Sequence, residues 1–292
     1  MKKSKIILLS SLFLILTLIF VTFESCNDSY DITDKTDSGT ETENTTAADN
    51  TDETLKGEET EVKTSYGNFS TTENTIPSRD REKQIKNSEL DYATGSTYSA
   101  DQIKSINSAA NNIKKWGSLM FPNASLMMAH YLDDSGDTYS IDMKSFFSDE
   151  TALKNRNEDL NNAFRAAENL AAPGKKINIY QVDESIYHNL TGDWKYSVGS
   201  YFSSVELYDV TVSNGVYTAK VKYVVNDFYN WDSNDTRNVF SGAAAKIVGD
   251  VSPRDLHQLH LNGTAKEFLS HGEITYRVTW VRGQDVKNIK LN

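Results

Sequence analysis

The chain has 292 residues, with 41 acidic against 30 basic side chains, a net charge of −11 at pH 7 and a single cysteine. One cysteine excludes an internal disulfide and a cysteine-based metal cluster, and the negative charge disfavours phosphate backbones, so we expect no nucleic-acid partner. The charge is uneven, since residues 27–64 carry 12 acidic side chains against 3 lysines and residues 65–292 hold a net charge of only −4.

The first 26 residues have the layout of a secretory signal. Three lysines precede a mostly apolar stretch at residues 6–23, and Glu24, Ser25 and Cys26 follow. This end resembles the lipobox of bacterial lipoproteins, although Phe23 and Glu24 depart from its usual residues. The resemblance implies cleavage before Cys26, acylation of its sulfur, and a chain anchored by lipid at the cell membrane or cell surface, facing outside the cytoplasm. The alternative is an uncleaved membrane anchor of 18 residues.

Composition divides the chain into four parts. Residues 1–25 are the predicted signal peptide, and residues 26–75, which are rich in Thr, Asp and Glu, are the predicted disordered acidic tether. Residues 76–98 remain polar and predict an irregular linker. Residues 99–292 contain the periodic apolar patterns of a single globular domain.

Three amphipathic helices are predicted at the start of this domain. Ser99 opens a capping box, and apolar residues then recur at helical spacing as far as Trp116. A second helix is predicted over residues 123–132. A third is predicted over residues 149–172, where a Pro-Gly pair ends it.

The second half of the domain is dominated by strand-like runs, at residues 176–182, 205–212, 216–225 and 274–280. Asn214-Gly215 joins the middle two as a tight hairpin. A short helix at residues 253–261 is predicted between Ser252 and Gly263. Helices followed by strands predict an α+β fold in which N-terminal helices pack on a mainly antiparallel sheet, and the pattern leaves open whether that sheet is barrel-like.

The segment from Asp227 to Arg237 combines acidic, aromatic and basic side chains directly after a predicted strand. Such carboxylates can bind a hard cation or act as acid and base, or they can simply cap a solvated turn. The spacing of Asp227, Tyr229 and Arg237 resembles the active-site signature of colicin M-type bacteriocins, which cut the peptidoglycan precursor lipid II. Asn230 and Thr236 stand where that family has Asp and His.

The resemblance implies a diverged hydrolase that acts on a phosphate-linked lipid carrier. Asp227 would be the nucleophile or base, Arg237 would bind phosphate, and His271 would supply the missing imidazole. The implied catalytic set is Asp227, Tyr229, Arg237 and His271, and the implied ligands of Mg²⁺ or Ca²⁺ are Asp232 and Asp235. Residues 259–279 also resemble uncharacterised secreted, toxin-like bacterial proteins, a likeness that implies no particular reaction.

The remaining histidines and aromatic residues have two interpretations each. His257 and His260 stand at i, i+3 beside Asp255, which can suit zinc, but the pattern favours surface histidines because zincin spacing is absent. His130 is predicted to pack in the core, and His188 is unassigned. Five aromatic residues could stack on sugars or polymers or could pack in the core: Tyr196, Tyr201, Phe202, Tyr208 and Tyr229.

Three functions stay open at this point. The lack of a complete catalytic motif favours a membrane-anchored lipoprotein of binding or structural type. Its partner would be an envelope polymer, a lipid carrier or a protein. The alternatives are the diverged hydrolase and an immunity lipoprotein, so the sequence does not decide whether the protein is an enzyme.

Overall fold

The structure is a computed structural model that describes residues 61–64, 67–73, 75–76, 95–119, 121–181, 186–237, 239 and 249–291. The predictions for the signal peptide, for Cys26, for the first part of the tether and for residues 77–94 of the irregular linker lie outside these residues. Gly57–Asn292 forms a compact unit by itself and contains the whole described core. This segment therefore has what it needs to fold alone.

Six α-helices fall within the described residues: α1 Ala100–Gly117, α2 Pro122–Tyr131, α3 Met143–Phe146, α4 Glu150–Leu170, α5 Gly192–Ser197 and α6 Pro253–Asn262. The predicted caps are present. Ser99 makes its capping box with Gln102, and Ser252 makes another with Asp255. Gly263 ends α6 in the left-handed conformation, with φ of 77°.

The described strands are β1 Glu61–Thr64, β2 Gly67–Thr72, β3 Tyr139–Ser140, β4 Ile177–Gln181, β5 Ile186–Asn189, β6 Ser200–Ser213, β7 Val216–Tyr229 and β8 Phe268–Val281. They form one sheet in the order β1-β2-β4-β6-β7-β8-β3, with β5 also paired to β6. All pairs are antiparallel except β3 with β8. The fold is α+β as predicted, and the sheet is open rather than closed into a barrel.

The hairpin of β6 and β7 forms because of its turn. Asn214 and Gly215 both have positive φ, at 50° and 75°, as a two-residue hairpin turn of this hand requires. Alternation then divides β7 between two faces. The predicted inward residues are buried, as the sequence indicates: Tyr217, Ala219, Val221, Tyr223 and Val225.

The core lies between the helices and this face of the sheet, which we call the inner face. Trp280 of β8 is fully buried and stacks between Phe164 of α4, at 4.5 Å between ring centroids, and Tyr217 of β7, at 5.2 Å. The opposite face, which we call the outer face, carries polar residues near the hairpin, among them the exposed side chains of Lys220 and Arg277. Thus one face of the long strands holds the fold together and the other is available to solvent near the hairpin.

The folded unit begins earlier than the predicted boundary at Ser99. β1 and β2 lie within the predicted tether, and β2 pairs with β4 from Phe69↔Gln181 to Thr72↔Asn178. The sequence analysis did not predict these strands, because they are rich in Thr and Ser and carry few apolar residues. Phe69 is nevertheless only 1% exposed, so this strand adds a side chain to the core.

Candidate functional site

The hydrolase prediction depends first on where Asp227 and Tyr229 lie in β7. Both positions belong to the inner face, which they share with Tyr223 and Val225. Tyr229 is buried, and its ring stacks on Phe268 with centroids 4.8 Å apart. Burial raises the pKa of Tyr229 well above its ordinary value, so this phenol stays neutral and packs as a core side chain.

His271 belongs to the outer face. The register of β7 and β8 pairs His271 with Asn226 and Ser270 with Asp227. The side chains of His271 and Asp227 therefore leave the sheet in opposite directions. His271 Nδ1 lies 2.7 Å from Asn226 Oδ1, and its Nε2 lies 3.9 Å from the Glu273 carboxylate. The sheet separates the imidazole from the carboxylate with which the resemblance would pair it.

The turn after β7 holds its charged residues in local hydrogen bonds. Arg237 donates to both carboxylate oxygens of Asp235, from Nε at 3.0 Å and from Nη2 at 2.9 Å, and this lowers the pKa of Asp235 below its ordinary value. Asp232 Oδ1 accepts from the Asn234 backbone N–H at 2.7 Å, as in an Asx turn. Within the described residues, no group of three or more His, Cys, Asp or Glu side chains is placed to hold a metal ion.

His257 is buried and lies in hydrogen-bond contact with a glutamate, and the prediction of a surface histidine is wrong for it. Its Nδ1 lies 2.8 Å from Glu267 Oε1, with both side chains buried. The same oxygen accepts from the Trp231 backbone N–H at 3.2 Å, and the Glu267 backbone N–H donates to His260 Nδ1 at 3.3 Å. Helical spacing could not indicate this pair, because Glu267 lies beyond α6. His130 packs edge-on against Phe268 at 4.5 Å between centroids, but it is only partly buried and its Nδ1 lies 3.3 Å from the Asp133 carboxylate, so it is not the core histidine that was predicted.

A polar cluster that the sequence did not indicate lies between α4 and the inner face. Asp159 is only 2% exposed, and its Oδ2 is bonded by three groups. Ser203 Oγ donates at 2.8 Å, Tyr223 OH donates at 2.7 Å, and His188 Nε2 lies 2.9 Å away. Burial raises the pKa of the neighbouring Tyr201 to about 12. The one signal in the sequence was an acidic residue directly beside Leu160 on the apolar stripe of α4.

The geometry of this cluster is that of a satisfied buried carboxylate. Ser203 and His188 both bond Asp159, whereas a hydrolytic relay requires the serine to bond the histidine and the histidine to bond the carboxylate. Tyr223 has a pKa raised well above its ordinary value by burial and by Asp159, so it remains a neutral donor. The arrangement therefore ties α4 to β5, β6 and β7.

Glu168, near the C-terminal end of α4, is a second buried carboxylate with several donors. Its Oε1 accepts from Arg165 at 2.7 Å, from Trp280 Nε1 at 3.2 Å and from the Gly283 backbone N–H at 3.0 Å. These bonds join α4 to β8 and to the turn that follows it. Like Asp159, Glu168 connects elements of the core.

The aromatic residues separate into core and surface. Tyr201 and Tyr229 are buried, which makes the surface interpretation wrong for them. Tyr208 lies on the outer face and keeps part of its ring exposed. Its hydroxyl donates to Glu206 Oε2 at 2.7 Å, and burial and this bond raise its pKa above the ordinary value.

Tyr208 lines an open cavity of about 470 Å³ on the outer face. Four strands contribute to it or lead into it, and its lining residues are Glu73, Thr75, Asn178, Tyr208, Asp209 and Lys220. The walls thus offer one aromatic ring together with carboxylate, amide, hydroxyl and ammonium groups. This is a shallow, open site at which several polar groups lie close together.

A β-bulge shapes the cavity. The register of β6 and β7 shifts between Tyr208 and Thr211, and Asp209 adopts a left-handed conformation with φ of 57°. The Asp209 backbone N–H donates to Asn178 Oδ1 at 2.9 Å, and its carboxylate lies 2.7 Å from Lys176 Nζ. Bulges and left-handed residues other than glycine cluster at functional sites, where they redirect side chains. We therefore take this cavity as the candidate site.

Comparisons with protein-family models, with curated proteins and with solved structures find no match to this chain. No helix within the described residues combines the length and apolar character needed to cross a bilayer.

Proposed function

We propose that the protein is a lipid-anchored binding protein outside the cytoplasm, and that it holds a glycan-like polymer of the cell envelope in the outer-face cavity. The anchor follows from Cys26 directly after the apolar stretch of the signal. The binding role is supported by one observation above all, the Tyr208 ring set in a bulged, open cavity among polar side chains.

The chemistry of the cavity suits a polyhydroxylated ligand. The partly exposed ring of Tyr208 offers an apolar surface on which the C–H face of a sugar can lie. Asn178 and Lys220 can donate hydrogen bonds, and Glu73 and Asp209 can accept them, so hydroxyl groups find both kinds of partner nearby. A long polymer fits an open cavity better than an enclosed one, because its chain can enter and leave at the rim.

No specific observation favours the hydrolase over binding. The hydrolase needs Asp227 and an imidazole in one cleft, and the His271 side chain leaves the opposite face of the sheet. Arg237, which would bind phosphate, makes two bonds to Asp235. An immunity role has no distinguishing feature in the described residues.

Replacing Tyr208 tests the proposal. We expect Gly57–Asn292 to sediment with insoluble peptidoglycan sacculi, and Tyr208→Ala to weaken that binding about 5- to 150-fold, since stacking on an aromatic ring contributes about 1–3 kcal/mol by analogy with bases. Tyr208→Phe keeps the ring and should bind within about threefold of the native segment. The measurement is the bound fraction as a function of sacculus concentration.

Tyr196→Ala is the matched control, because Tyr196 is exposed but lies in α5, away from the cavity. It should bind like the native segment. The glycan site at the cavity would be refuted if the native segment did not bind sacculi. It would also be refuted if Tyr208→Ala bound them as tightly as the native segment does.

A further inference from the structure

A second surface feature lies among the helices. Of the six exposed large apolar side chains in the described residues, four lie around the α1–α2 turn and α5: Trp116 at 47% exposure, Leu119 at 78%, Leu126 at 56% and Tyr196 at 37%. We call these four residues the helical apolar patch. α1 packs on α2 and α2 packs on α5, so these side chains lie on neighbouring elements. Exposed apolar side chains on neighbouring elements can mark an interaction surface.

The patch rests on a rigid base. The carboxylate of Asp193, at the start of α5, accepts from the backbone N–H groups of Asn123 and Ala124 at 2.8 and 3.0 Å, which fixes α5 to the first turn of α2. Phe121 packs edge-on against Tyr196 at 4.9 Å between centroids. Tyr196 and the first turn of α2 are therefore held together by the fold.

Lysines accompany the apolar side chains. Lys114 and Lys115 occupy the last turn of α1, and Lys115 Nζ lies 5.7 Å from the centre of the Trp116 ring. Lys195 lies next to Tyr196 in α5. Trp and Tyr beside Lys is the composition of residues that settle at a membrane–water interface, with rings at the level of the headgroups and ammonium groups near anionic lipid.

We infer that the helical apolar patch docks the domain onto an anionic phospholipid bilayer, a role that rests on the proposed lipid anchor. Thirty residues, 27–56, separate Cys26 from Gly57, and a chain of that length spans at most about 100 Å. An anchored domain consequently stays at high effective concentration beside the membrane, so even a weak docking surface is occupied. Because the helices pack on the inner face of the sheet, docking through them would leave the cavity at Tyr208, on the outer face, accessible.

The lysines at the patch favour lipid over a second copy of the chain as the occupant, although residues 65–292 as a whole carry a net charge of −4. A symmetric dimer formed through the patch would bring Lys114 and Lys115 of both copies to one interface, where like charges oppose association. Anionic headgroups would instead be attracted to the same lysines.

Vesicle binding tests the inference with Gly57–Asn292, which lacks Cys26 and so reports on the patch alone. We expect this segment to sediment with phosphatidylglycerol-containing vesicles and less with pure phosphatidylcholine, and brominated lipids to quench the fluorescence of Trp116. The double variant Leu119→Ser, Leu126→Ser should bind at least tenfold more weakly. The control is Val216→Ser, Val281→Ser, the other two exposed apolar residues, which face each other across β7 and β8 and should not alter binding.

Equal loss in both double variants, or no vesicle binding by the native segment, would overturn the docking surface. If the native segment dimerised and the Leu119→Ser, Leu126→Ser variant did not, the occupant of the patch would be a second copy of the chain rather than lipid. Failure of the proposed lipid anchor can be distinguished from failure of the docking surface. In that case the full chain would carry no lipid on Cys26, while the segment would still bind vesicles.

Discussion

Asp159→Ala should lower the free energy of unfolding of Gly57–Asn292 by about 2–6 kcal/mol, because two buried hydroxyls lose their acceptor and each costs about 1–3 kcal/mol. The substitution leaves Ser203, Tyr223 and His188 without the carboxylate that they share. Each buried donor without a partner is costly, since water cannot reach it. The free energy is measured from urea unfolding followed by circular dichroism.

The neighbouring acidic residue supplies a control for this variant. Glu158 is mostly exposed and pairs with Lys154 at 3.7 Å. Because exposed pairs of this kind contribute about 0–1 kcal/mol, Glu158→Ala should shift the unfolding free energy by less than about 1 kcal/mol. A similar small shift for Asp159→Ala would mean that the cluster does not hold α4 to the sheet.

Glu267→Ala should also destabilise the segment by about 2–6 kcal/mol, because two buried polar groups lose their shared partner and each costs about 1–3 kcal/mol. It removes the partner of His257 and the acceptor of the Trp231 backbone N–H in one step. Tyr131 lies in the same neighbourhood, where burial first and Glu267 second raise its pKa well above the ordinary value. The measurement is again urea unfolding, and heat denaturation should give the same order of variants.

Glu273→Ala, in β8, is the comparison for Glu267→Ala. Its carboxylate is about half exposed, bonds Lys222 at 2.6 Å, and has a pKa lowered by that lysine. Screening by solvent keeps the contribution of such a pair near 1 kcal/mol or below. If Glu273→Ala lowered the free energy of unfolding as much as Glu267→Ala, burial of the carboxylate would not explain the stabilising effect of Glu267.

The elements that the sequence predicted are those specified by neighbouring residues. Helix α1 follows from the Ser99 capping box and its apolar stripe, and the hairpin follows from Asn214 and Gly215 between alternating runs. β2 escaped prediction because its polar residues become strand by pairing with β4, more than a hundred residues further along the chain, and β1 in turn pairs with β2. Pairing at that distance leaves no local signal.

The candidate site residues were likewise only partly predictable from the sequence. Asp227 and His271 look compatible in sequence, but the β7–β8 register decides that they face opposite ways. His188 and Asp159 lie 29 positions apart and meet only because β5 pairs with β6 beneath α4. Tyr208 was one of five candidate aromatic residues, and the bulge that opens its cavity depends on the backbone of Asp209. Residue types were therefore visible from the sequence, whereas their grouping was not.

The most direct test of the proposed anchor is metabolic labelling of cells that produce the full chain with an alkyne analogue of palmitate. We predict that the native chain takes up the label and fractionates with membranes, and that Cys26→Ser takes up none, since Cys26 is the only thiol in the sequence. Label that persists in Cys26→Ser, or a native chain that matures without label, would contradict a lipid-anchored protein.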